Sequence, residues 1–226
     1  MTLHDSEMNV QDGSSSNIPT TASSSNQQYG QRVLKLKWEP LKVPGTEHDI
    51  PRVKNHTATL VKDKIYIFGG YDGKKNHNKL HVLDVETWEW TQPPVQGYAP
   101  EGRNGHTATL VDNKIFILGG WLGTGPYAAK DLHVLNLGDG TNMKWDGAEF
   151  TGTPPGPANM HTSDLMPNRQ MFVFRGGDGM QYLNDLHCLD VDSMHWKSPV
   201  VTTGTAPPPR ANHASTVDKD LLYIFG

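Results

Sequence analysis

One phrase returns four times along this chain of 226 residues, and no other feature constrains its fold as tightly. His56-Thr57-Ala58-Thr59-Leu60-Val61 recurs identically as His106-Thr107-Ala108-Thr109-Leu110-Val111. It recurs loosely as His161-Thr162-Ser163-Asp164-Leu165-Met166, and again as His213-Ala214-Ser215-Thr216-Val217. The histidine intervals are 50, 55 and 52 residues. A second phrase, Leu80-His81-Val82-Leu83-Asp84-Val85, returns as Leu132 to Leu137 and as Leu186 to Val191, and Trp90, Trp145 and Trp196 close the units. A period of about 50 residues marks stacked supersecondary units, none of which buries its apolar face alone.

Each unit reads as four short strands. Strand a is the His-Thr-Ala-Thr-Leu-Val phrase, followed by a polar turn such as Lys62-Asp63-Lys64. Strand b is the apolar run Ile65-Tyr66-Ile67-Phe68, ended by Gly69-Gly70. Strand c is the Leu-His-Val-Leu-Asp-Val phrase, and strand d carries the tryptophan before Pro/Gly-rich connectors such as Pro93-Pro94. Strand b is apolar at consecutive positions, so both of its faces are buried. Repeated four-stranded antiparallel sheets covered on both faces are blades of a β-propeller.

The diglycine after an apolar strand, Tyr71-Asp72-Gly73 just beyond it, and a tryptophan six residues past Asp84 resemble kelch repeats over residues 32–226. The resemblance implies a propeller of roughly five to seven blades and a protein-binding or scaffolding role within a longer chain. The fold expected here is therefore all-β: a kelch-type propeller with three complete four-stranded blades, at about 52–93, 103–150 and 157–200, plus a half blade at 209–226. Val33-Leu34-Lys35-Leu36-Lys37-Trp38 alternates apolar and polar residues and reads as a ring-closing strand at about 32–43. The chain is expected to be the N-terminal portion of a longer propeller, with self-association through the open edge. Residues 1–31 are rich in Ser, Asn and Gln and hold little to bury, so they read as a disordered tail, solvated or carrying a phosphorylated docking segment.

Charge and composition narrow the function. Twenty Lys and Arg against 24 Asp and Glu give −4, leaving no basic excess for a phosphate backbone, so no nucleic-acid partner is expected. Apolar runs of a few residues fall far short of the roughly 20 that cross a bilayer, so no membrane partner is expected. The first residues have no basic-then-apolar signal pattern, and Cys188 alone excludes a disulfide framework. The expected compartment is the cytoplasm or nucleus.

Eleven histidines invite a metal site, but His56, His106, His161 and His213 share one repeat position, as do His81, His133 and His187. Ligands must converge on one point, whereas equivalent repeat positions spread around a ring. No metal or cofactor is expected, and these side chains are read as hydrogen-bonding within each blade. Gly123-Thr124-Gly125 has no third glycine and no following helix to cradle a phosphate. Asn55-His56-Thr57 matches a glycosylation sequon that a non-secreted chain would not use. Asp84 and Asp190 precede turns and read as caps on backbone N–H groups. Copper-radical oxidases share kelch architecture, and their chemistry resembles a cross-linked Cys–Tyr pair, but Cys188 lies mid-strand in a repeat phrase, as a small buried hydrophobe.

In an up-down meander the b–c loops and the d–a connectors share one face. That face is expected to carry Tyr71, Asp72, Lys74, Trp121, Tyr127, Asp178 and Tyr182 from the loops, with Arg52, Lys54, Arg103 and Arg210 from the connectors. Aromatics mixed with arginine suit a binding hot spot; the alternative is that the arginines make local links to blade turns. Arg175 stands where Gly69 and Gly119 stand in the other units, while Ala158 replaces Arg103 in the third. A cation there is expected beside Asp178 or another loop-face carboxylate, or awaiting an acidic ligand. The expected function is non-catalytic binding of a protein partner through this face. The alternatives are a multidomain enzyme whose catalytic domain or remaining blades lie beyond Gly226, and a dimer of half-rings.

Overall fold

A computed structural model describes residues 37–38, 52–197 and 200–226. Contacts divide the chain into two units, Met1–Lys42 and Val43–Gly226, and the strands among the described residues belong to the second. Of the first unit, Trp38 is exposed; the expected tail and most of the expected ring-closing strand lie outside the described residues.

The second unit is all-β. Its first blade contains β1 (Thr57–Val61), β2 (Lys64–Phe68), β3 (Leu80–Asp84) and β4 (Trp90–Thr91), paired antiparallel in that order. The second blade repeats the pattern with β5 (Thr107–Val111), β6 (Lys114–Leu118), β7 (Leu132–Asn136) and β8 (Lys144–Asp146). A short strand, β9 (Thr151–Gly152), then precedes β10 (Thr162–Leu165), β11 (Gln170–Phe174), β12 (Leu186–Asp190) and β13 (His195–Lys197) of the third blade. The chain ends in a hairpin of β14 (Ala214–Asp218) and β15 (Leu221–Phe225).

The pairing of β9 was not foreseen. It lies in a connector, yet it joins the outer edge of the third blade, parallel to β13. Gln96 makes the same kind of parallel bridge to Lys144 in the second blade. These two connectors thus cover the outer edge of the blade that follows each, which protects an otherwise open strand.

The core explains why strand b is apolar throughout. Ile115 and Ile117 pack with Tyr66, Phe68, Leu80 and Val82 of the first blade. Phe116 and Leu118, on the other side of the same strand, pack with Met171, Val173, Leu189 and Trp196 of the third. Alternate side chains point to opposite faces, so one strand serves two cores. In the hairpin only one of those faces is covered: Leu222 and Ile224 are half-buried, while Tyr223 and Phe225 are 50% and 83% exposed.

Candidate interaction face

Backbone pairing brings connectors and b–c loops to one end of the blades. Lys54 bridges Tyr71, Asn104 bridges Trp121, Asn159 bridges Gly177, and Leu183 bridges Arg210. Asp72 shapes the first loop: Oδ1 accepts from the N–H groups of Lys74 and Lys75 (2.7 and 2.8 Å), and Oδ2 pairs with His77 Nε2 at 2.7 Å. Asp178 does the same in the third, accepting from the N–H groups of Met180 and Gln181. These bonds hold the Asp72 carboxyl well below the usual carboxylate range and lower that of Asp178. Asp72 and Asp178 therefore build the loops, Asp72 with both of its oxygens engaged.

Two clefts open on this face. One, of about 690 Å3, lies between the loops of the first two blades and includes Tyr71, Lys74, Lys75, Glu101 and Trp121 in its wall. Beneath it, Asn76 Nδ2 donates to the Trp121 carbonyl (2.9 Å), and Asn104 Nδ2 donates to Asn76 Oδ1 (2.8 Å). The other, of about 600 Å3, lies between the third blade and the hairpin, with Met160, Met180, Gln181 and Tyr182 in its wall. Between the clefts, the Ala128 N–H donates to the Asp178 carbonyl at 2.8 Å, so the second and third loops are tied together. Tyr127 and Tyr182 remain 56% and 66% exposed, Trp121 and Tyr71 are half-buried, and Arg52, Lys54 and Lys74 are exposed. A third cleft, of about 740 Å3, lies at the opposite end, where Arg169 is paired with both Asp112 and Asp192.

Two expected face residues turn inward. Arg103 is fully buried: its guanidinium forms a bidentate pair with Asp131 (2.7 and 2.9 Å) and donates to the Gly119 carbonyl at 2.8 Å. It is thus no contact for a partner, because burying an arginine demands the carboxylate that Asp131 supplies. Arg175 is 13% exposed and pairs not with Asp178 but with Asp185 (3.0 Å), also donating to the Pro157 carbonyl at 2.9 Å. Arg210 lies nearer the surface, donating to the carbonyls of Pro208 and Gly226.

Burial pushes the Asp131 carboxyl up, but hydrogen bonds from Arg103 and His133 outweigh it and hold the group well below its usual range. Asp185 follows the same balance, with His187 and Arg175 bringing it down to about 2. Neither aspartate was singled out from the sequence. The signal was there: the second and third units carry both an arginine and this aspartate, while the first has Val53, Gly69 and Lys79 at the same places.

The repeat histidines correct part of a second expectation. His133 and His187 hydrogen-bond within their blades, to Asp131 and Asp185, but the other set bonds between blades. His106 Nε2 pairs with Thr57 Oγ1, His161 with Thr107 and His213 with Thr162, each at 3.0 Å. His106 and His213 also meet the edges of Phe68 and Phe174 in the preceding blades. Burial, reinforced by neighbouring cations, pushes His106 and His161 down to about 3, and His213 is lowered by burial too. Neutral imidazoles thus join successive blades. Among the described residues no group of three or more His, Cys, Asp or Glu is arranged to hold a metal ion.

The sequence model of the KLHDC2/KLHL20/DRC7 Kelch-repeats domain matches residues 1–226. The chain belongs to the kelch-repeat family. Kelch relatives include the mouse Rab9 effector protein with kelch motifs, 32% identical over 207 residues, which cover 87% of this chain and 53% of that protein. Acyl-CoA-binding domain-containing protein 4 of Arabidopsis thaliana is 26% identical over 244 residues (81% and 36%). A probable serine/threonine-protein kinase of Dictyostelium discoideum is 31% identical over 182 residues, 78% of this chain and 13% of that protein. The chain spans about half the length of the Rab9 effector proteins it matches. Within the kelch pattern, Asp84 and Asp190 cap the turns after strand c, accepting from Thr87 N–H (2.9 Å) and Ser193 N–H (3.0 Å). Cys188 is buried, its thiol held to Gln170 and pushed up by burial. No helix among the described residues is long and apolar enough to cross a membrane.

Proposed function

We propose that this kelch chain is a non-catalytic scaffold that binds a protein partner, in the cytoplasm, through the face formed by its b–c loops and d–a connectors. The observation that carries the reading is the contrast between buried and presented groups. Arg103, Arg175, Asp131 and Asp185 are occupied in ion pairs inside their own blades, and His106, His161 and His213 join successive blades. Tyr71 and Trp121 instead stand around one cleft and Met180 and Tyr182 around the other, as exposed or half-buried apolar surface, and Tyr127 is exposed on the second blade's loop. Rings of this kind, with basic residues among them, dominate the energetics of interfaces. The name of the mouse relative denotes an effector of Rab9, which supports the class of activity, binding to a protein, without naming the partner here. A second reading has one observation behind it: the Dictyostelium relative is named a kinase and is matched over only a small part of its length, so these repeats also occur within longer enzymes.

The test is quantitative capture of partners by the intact chain and two variants. Trp121→Ala/Tyr182→Ala should lose the partners, whereas Lys62→Glu/Glu86→Lys, at the opposite turns, should retain them. Equal capture by both variants would overturn the proposal.

A further inference from the structure

We infer that the cleft between the loops of the first two blades receives an acidic segment of a protein partner. The inference rests on the loop-face reading above and names the chemistry that this part of the face recognises.

Charge is unevenly distributed. The chain as a whole carries −4, yet the loop end of the first blade presents Arg52, Lys54, Lys74, Lys75 and Lys79, all exposed. Among the described residues, none of these five is in an ion pair. Elsewhere Lys64 pairs with Asp84, Arg103 with Asp131, Arg169 with Asp112 and Asp192, Arg175 with Asp185, and Lys197 with Asp190. The other cations outside ion pairs among the described residues, Lys62, Lys114, Lys130, Arg210 and Lys219, are spread over three units.

The imbalance comes from two departures from the repeat. Lys79 stands where the later blades have Asp131 and Asp185, and Val53 stands where the second has Arg103. The first blade therefore lacks the inward guanidinium–carboxylate pair and carries a cation in place of its carboxylate. Asp72, the acidic group nearest Lys74 and Lys75 in sequence, has both oxygens engaged by its own loop. Glu101 is the acidic residue in the cleft wall, against Lys74 and Lys75. Lys54 is held over the Tyr71 ring, its Nζ 5.8 Å from the centroid, so one cation is fixed beside the aromatic wall.

The cleft's volume falls among those of ligand pockets, about 300–1,000 Å3, which fits a few side chains of an extended segment. Tyr71 and Trp121 give apolar contact, and the lysines give a positive rim that draws in carboxylates. The second cleft has no charged residue in its wall, so it serves as an internal control.

The experiment selects peptides from a random-sequence display library on four intact chains: the native one, Lys74→Glu/Lys75→Glu, Trp121→Ala and Tyr182→Ala. Both lysines are exposed, and a thermal melt checks that the charge-reversed chain folds. Native selection should enrich Asp and Glu. Binding of the enriched peptides should weaken as salt rises and fall about tenfold on the charge-reversed chain, and Tyr182→Ala should leave the salt dependence unchanged. Peptides without acidic enrichment that still lose binding on Trp121→Ala would overturn this inference and leave the loop-face reading standing. Peptides indifferent to every loop substitution would overturn both. Selection of no peptide would overturn the inference and leave the loop-face reading to the capture experiment.

Discussion

Arg175 reaches the Asp185 carboxylate at 3.0 Å from a position at which the first two blades carry a glycine. In the second blade the equivalent carboxylate, Asp131, takes its guanidinium from Arg103 on the connector. The third blade has Ala158 at that connector position and Arg175 at the end of strand b. Two different backbone positions thus deliver one ion pair to one place, and the carboxylate persists because a guanidinium always meets it. Gly119 adopts a φ of +62°, and a Cβ there would fall 2.4 Å from the Ala158 carbonyl oxygen. Arg175 is not among the left-handed residues, so the third blade accepts a side chain by changing the local backbone.

Arg175→Gly should therefore lower stability. Taking the guanidinium from the half-buried Asp185, which then keeps His187, costs about 1–3 kcal/mol, which is several degrees in Tm for a chain of this size. Arg175→Gly/Ala158→Arg should recover part of the loss by restoring the second blade's arrangement. Thermal melts of the two variants check this; equal values would mean that the pair does not act as a unit.

Stability should fall as pH drops below about 6.5, before most carboxylates titrate. His106 and His161 are held near 3 in the folded chain but titrate at the ordinary value when unfolded. Below that ordinary value the unfolded state binds more protons, so acid favours it. His106→Gln/His161→Gln should flatten the dependence between about pH 6.5 and 4.5. A native chain with constant Tm over that window would contradict the interblade role.

Gly119→Ala and Gly73→Ala separate two costs. Both glycines have positive φ, but Gly73 has open space where a Cβ would go. Gly73→Ala should lose about 1 kcal/mol, the conformational penalty alone. Gly119→Ala should lose clearly more, because the neighbouring connector must also move. Chemical denaturation of the pair decides it.

The hairpin should make this chain associate at high concentration. Tyr223 and Phe225 are exposed where their counterparts Phe116 and Leu118 are buried against the next blade. Uncovered apolar strand faces template pairing. Sedimentation of the native chain should show concentration-dependent dimers or larger species, and Tyr223→Ser/Phe225→Ser should reduce them.

Blades and cores were legible because the repeat phrases carry strand period, turn and packing face together: Ile115 and Phe116 alternate between two cores as a continuous apolar run requires. The histidines were recognisable as structural, but their Thr57 and Thr107 partners were not, since a repeat shows what recurs and not which copy each residue faces. Arg103 looked like a surface contact because its partner Asp131 lies beyond two strands and a loop, a separation that no local pattern spans. Parallel β9 escaped because two residues of connector carry no period. The face residues Tyr71, Trp121, Tyr127 and Tyr182 could be placed at one end from strand order alone, but the grouping of Tyr71, Trp121 and Tyr182 around clefts depends on loop conformations such as those set by Asp72 and Asp178.

Hydrogen exchange of the intact chain, with and without a captured partner, tests the loop-face account most directly. Binding should protect the backbone of residues 71–75, 121–127 and 178–182 and leave the turns at 62–63 and 112–113 unchanged. Protection of those turns, with the loops exchanging as in the free chain, would contradict it.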